Sequence, residues 1–149
     1  MSTPTYSAHP LTVLARTSDP RTMLRRFLAL DAVVTAGNGL AYAAAPGPLG
    51  RFLGVDSGLL LGLGVFLVLY GAGVGYLASR KSPPALAVRG VIEANAVWAV
   101  LSVVALVAWL SPSTAGVVWI PLQAVTVGGF AAVQYAALRA LRDQGPARG

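Results

Sequence analysis

Asp31, Asn38, Glu93, Asn95 and Gln134 are the side chains best placed to do chemistry, because each interrupts a long apolar run. At a helical rise of about 1.5 Å per residue, Asp31 lies about 7–8 Å from Arg26, Glu93 about 6 Å from Arg89 and Gln134 about 7–8 Å from Arg139. Asn95 and Tyr76 fall near the same level. Asn38, Ser102 and Thr126 form a second layer, each roughly 18–20 Å from the same boundary. Two carboxyls, Asp31 and Glu93, near each other in a low dielectric would make a shared proton or cation site. The competing role is helix gluing. Glu93 can pair one turn back with Arg89. Asp31 has no basic residue three or four positions away on its own helix. It must reach Arg89 or Arg139 across helices, bond a Tyr or Asn, or carry a proton. Interhelical polar contacts commonly serve packing, and a shallow side chain can also snorkel to headgroups, so gluing is the favoured role.

The runs that carry these residues span 24–45, 59–78, 91–110 and 117–138. Each is long enough for a hydrocarbon core that about 20 helical residues cover. Hydrophobic residues make up 56% of the 149, charged residues only 11%, and the mean hydropathy of +0.69 is wrong for a soluble domain of this size. The expected fold is all-α, an antiparallel four-helix transmembrane bundle. Asp31, Thr35 and Asn38 share one face of the first helix at i, i+4, i+7 spacing, and that face should point inward.

Charge sets the expected orientation. Arg16, Arg21, Arg25 and Arg26 precede the first span, Arg80, Lys81 and Arg89 join spans two and three, and Arg139, Arg142 and Arg148 follow span four. The other two connections carry only Arg51, offset by Asp56. Both termini are therefore expected in the cytoplasm. The net charge of +6 punctuates span ends and forms no polar patch, which argues against nucleic acid and for contact with the lipid bilayer. Ala43-Ala44-Ala45 resembles a signal-cleavage site. The long leader and the polar Asp31 and Asn38 favour a retained span instead.

Asp19-Pro20 reads as a helix start, Pro46-Gly47-Pro48 as a stop, and 50–53 as an interfacial turn with Phe52 and Leu53 in lipid. Residues 1–18 and 143–149 read as mobile cytoplasmic tails around a single domain, 19–142. His9, the one histidine, falls in the first tail as a solvated side chain. Gly58-x-x-x-Gly62 and Gly71-x-x-x-Gly75 mark span two as a packing element, since small residues let backbones approach closely. Pro121 can kink span four, Trp109 and Trp119 suit interface anchors, and Trp98 suits packing. An echo, V-x-Y-x-A-x-R at Val74–Arg80 and Val133–Arg139, suggests a duplicated hairpin at an offset of 59, with Asp31 and Glu93 matched at 62.

Cysteine is absent and no histidine lies in a span, so thiolate chemistry, usual haem ligation and His-based metal sites are not expected, nor is any cofactor. No P-loop, Rossmann or hydrolase signature appears. The segments RFLALDA (26–32) and PLGRFLG (48–54), the Asn95-x-x-Trp98 pair and Pro121-Leu122-Gln123-Ala124 resemble a family of small, uncharacterised four-span proteins of actinobacteria and other bacteria. The resemblance covers most of the chain after residue 22 and implies a fold without a mechanism. Span count and the polar first helix are also similar to DoxX-like four-helix membrane proteins. The first-span glutamate motif of small multidrug transporters is not reproduced. The expectation is a multi-pass protein of a bacterial cytoplasmic membrane, not an enzyme, of accessory or structural type. It would bind lipids, a membrane-protein partner or its own copies. The alternative is an oligomeric small-solute or proton-coupled transporter using Asp31 and Glu93.

Overall fold

The structure, a computed structural model, describes residues 19–144. His9, the tail 1–18 and residues 145–149 lie outside the described residues. Among the described residues five helices follow one another: α1 (Pro20–Ala44), α2 (Pro46–Leu53), α3 (Ser57–Ser79), α4 (Ala85–Ala108) and α5 (Thr114–Asp143). All except α2 are long and apolar enough to cross a membrane, as in a multi-pass membrane protein. Local chemistry sets their ends. Asp19 caps α1 by accepting from Thr22 N, Asp56 caps α3 by accepting from Leu59 N, and Ser113 caps α5 by accepting from Gly116 N. Pro46 ends α1 and also occupies the first turn of α2, where its missing N–H costs nothing. At the far end of α3, Arg25 Nε donates to Ala78 O at 3.1 Å, placing a cation on the helix C-terminus.

Helices α1 and α3 make the closest pairing, and glycine makes it possible. A Cβ at Gly39 would stand 2.7 Å from Gly64 O, and one at Gly64 would stand 2.6 Å from Ala43 N. One at Gly71 would stand 2.9 Å from the backbone N of Ala36. Residue numbers rise along α1 as they fall along α3. Among the glycines singled out from sequence, Gly71 sits in this seam and Gly75 makes ordinary contact with Ala32, at 3.6 Å. Gly62 has nothing within 4 Å, and Gly58 meets only the Asp56 carboxylate at 3.1 Å. The seam thus uses Gly39 and Gly64 where the sequence suggests Gly58 and Gly62.

The 50–53 segment differs from expectation. Leu53, the last residue of α2, is buried with Tyr42, Leu60 and Leu67, while Phe52 faces outward. The left-handed Gly54 (φ 67°) ends α2 against the 109–113 loop. There Leu53 O accepts from Ser113 N and Phe52 O from Ser113 Oγ. Trp119 Nε1 also donates to Tyr42 Oη at 2.6 Å, so Trp119 is tied inward at this end. A second apolar cluster, with Leu24, Leu28, Val74, Leu77, Val88 and Leu138, fills the opposite end. Val33, Leu69, Val100 and Val125 face outward, as lipid requires.

The two hairpins share a register of 64 residues. Moved by that distance, α1 falls on 84–108 and α3 on 121–143; α4 is Ala85–Ala108 and α5 ends at Asp143. Pro20, Arg25, Gly64 and Phe66 meet Pro84, Arg89, Gly128 and Phe130. Leu24 and Val88, Leu60 and Ala124, Leu67 and Ala131, and Val74 and Leu138 are each buried on both sides. The echo at 59 and 62 is therefore not the structural register. It sets the buried Val74 against the exposed Val133 and the buried Asp31 against the exposed Glu93. In the second hairpin, two extra turns of α5 stand where the first has α2.

Candidate functional site

Between the two apolar clusters lies a buried polar network drawn from all four long helices. Asp31 is completely buried. Its Oδ2 accepts from Asn95 Nδ2 at 2.7 Å and from Gln134 Nε2 at 2.8 Å, and its Oδ1 accepts from Thr35 Oγ1 at 2.9 Å. Asn95 Nδ2 also donates to Gln134 Oε1 at 3.2 Å. The α3 contribution is Tyr70, whose hydroxyl donates to Asn95 Oδ1 at 3.1 Å and stands 3.3 Å from Val91 O.

The local sequence explains the convergence. Thr35 is one turn beyond Asp31, so both point the same way, and the helix spends its own hydroxyl on the carboxylate. An amide side chain carries donors and an acceptor, whereas a carboxylate accepts only. Asn95 and Gln134 can therefore face Asp31 with nitrogen and still satisfy their oxygens. Among the described residues, no buried side-chain nitrogen or oxygen lacks a partner. A polar group in an apolar interior is costly when unpaired, and here the pairing is complete.

The residues expected at one level do not all meet. Asp31, Asn95 and Gln134 come together. Glu93 does not. It is exposed and lines a groove with Arg89 and Arg139. Tyr76 is exposed too, and its hydroxyl accepts from Arg80 Nη1 at 3.3 Å. Nor does the deeper layer assemble. Ser102 Oγ returns to Trp98 O and Thr126 Oγ1 to Leu122 O, each one turn back, and Asn38 is half-buried outside the network. Tyr70 and Gln123 are the residues that sequence reasoning leaves out. Gln123 Oε1 accepts from Trp98 Nε1 at 3.0 Å, and Trp98 stacks with Phe66 at 6.0 Å between ring centres. A signal for Tyr70 exists in the 64-residue register, which matches it to Gln134 as it matches Asp31 to Asn95.

Chemically, the network joins helices. It presents no two carboxyls to one another, and no group of three His, Cys, Asp or Glu among the described residues could hold a metal. No family model, no curated protein and no solved structure matches the chain.

Proposed function

We propose that this is an accessory or structural protein of a bacterial cytoplasmic membrane, without enzymatic activity. It is an antiparallel four-helix transmembrane bundle with both termini in the cytoplasm. It works by presenting its outer faces and its basic end to lipids or partner helices. The carrying observation is the closed state of the network. Asp31 spends both oxygens on three donors from its own chain and lies apart from Glu93. A coupling carboxyl in a transporter must exchange its proton or ion with water on each side in turn, and this one is sealed by its own helices. The charge pattern supports the orientation. Arg25, Arg26, Arg80, Lys81, Arg89, Arg139 and Arg142 fall at the ends where α1 and α4 begin and α3 and α5 finish.

Native mass spectrometry of the full chain, gently extracted from its own membrane, tests the proposal. A stoichiometric foreign subunit or retained lipid is expected. A closed homo-oligomer that moves solute or protons in liposomes, and loses that flux on Asp31→Asn, would overturn it.

A further inference from the structure

The basic end holds a groove of ≈ 560 Å³ between α4 and α5, lined by Arg89, Glu93, Tyr135, Arg139, Arg142 and Asp143 over Ile92 and Leu138. We propose that it binds the headgroup of a phospholipid that joins a phosphodiester to a primary ammonium, of the phosphatidylethanolamine kind. This rests on the membrane-accessory function above and names the lipid.

The two hairpins explain why the groove opens between α4 and α5. In the first, Gly71 and Gly75 bring α3 against Ala36 and Ala32, and Arg25 is spent on Ala78 O. The 64-residue register puts Tyr135 and Arg139 at the glycine positions and Arg142 at the Ala78 position. Bulky side chains thus replace the close seam and leave a space. Arg89, the counterpart of Arg25, faces that space.

The signs of charge select the ligand. Three guanidinium groups suit a phosphodiester, which they can grip through paired N–H donors. Glu93 and Asp143 would repel a second anionic group and accept from an ammonium. The site therefore favours a zwitterion over phosphatidylglycerol. Over phosphatidylcholine it favours an ammonium that retains N–H donors. Depth fits as well: Glu93 and Tyr135 lie about 6 Å inward of Arg89 and Arg139, so the groove runs from the charged ring toward the acyl region.

The full chain in detergent is titrated with dioleoyl-phosphatidylethanolamine, -phosphatidylglycerol and -phosphatidylcholine, and bound adducts are counted by native mass spectrometry. The ethanolamine lipid is expected to bind roughly tenfold more tightly than the choline lipid, the equivalent of one or two charge-assisted hydrogen bonds. Glu93→Gln with Asp143→Asn should erase that preference, and Arg89→Gln with Arg139→Gln should weaken all three lipids. These side chains are exposed, and unchanged helicity by circular dichroism confirms folding. Equal binding of the three lipids overturns the inference, as does a preference that survives Glu93→Gln with Asp143→Asn. Either result leaves the accessory function standing, because that fails only on carboxyl-dependent flux.

Discussion

Each side chain of the network contributes according to what its loss strands. Tyr70→Phe removes one donor from Asn95 Oδ1 and leaves the carboxylate untouched. Gln134→Leu removes a donor at 2.8 Å from Asp31 Oδ2 and an acceptor from Asn95, inside a fully buried site. Interhelical hydrogen bonds in membranes average about 0.6 kcal/mol and reach about 1.7 kcal/mol, whereas an under-satisfied buried charge costs more. Unfolding in a detergent–denaturant series should therefore show a loss of about 0.5–1 kcal/mol for Tyr70→Phe and about 2–3 kcal/mol for Gln134→Leu. Equal losses would mean that the carboxylate does not organise the site. Depth arithmetic made Asp31, Asn95 and Gln134 legible in the sequence, because distance from an arginine fixes height in a helix. It does not fix azimuth. Glu93 and Asn95 differ by two residues, or about 200° around α4, so only one of them can face inward. Tyr70 escaped for the opposite reason. Its backbone lies about 15 Å from Arg80, and only the hydroxyl at the end of its ring reaches the network.

Among the elements, α3 shows how far small residues determine packing. Its glycines look alike in the sequence, yet Gly64 lies against the backbone of α1 while Gly62, also about 200° away, faces open space. Gly64→Ala and Gly39→Ala must push α1 and α3 apart, since the obstructing atoms are backbone. Each should cost about 1–3 kcal/mol, the range of overpacking. Gly62→Ala and Gly73→Ala meet nothing within 4 Å and should be neutral or slightly stabilising through better helix propensity. Thermal unfolding of the four variants checks this. A Gly62→Ala loss matching that of Gly64→Ala would place the seam on the wrong face. The four long helices themselves were readable from apolar run length, and α1 from Asp19-Pro20. The short α2 was not, because eight residues give too little periodicity, and its tie to the 109–113 loop depends on atoms distant in sequence.

At the scale of the whole molecule, the 64-residue register makes the network a meeting of equivalent positions. Asp31 and Asn95 come from the first helix of each hairpin, Tyr70 and Gln134 from the second. An arrangement of that kind has an approximate two-fold axis running along the helices, as in parallel internal repeats. The axis has a consequence for chemistry: two of the carboxylate's three donors, Asn95 and Gln134, come from the second hairpin, and only Thr35 ties it to α1. Asn95→Asp alone would set a second carboxylate where Asn95 Nδ2 now stands 2.7 Å from Asp31, replacing a donor by a like charge. Asp31→Asn alone would leave two asparagines and a glutamine with no charge to organise them. Each single change should cost about 1–3 kcal/mol. The double exchange restores one carboxylate and one amide on opposite sides of the axis. Gln134 can rotate its amide to donate across, and Tyr70 Oη already points at the Asn95 position. The exchanged protein should return to within about 1 kcal/mol of the native stability, a coupling that contacting pairs show and independent sites do not. Detergent melting curves of the four proteins measure it as a double-mutant cycle. Additive losses in the double variant would show that Thr35 and the α1 backbone fix the charge on one side, and that the hairpins are alike in register but not in chemistry.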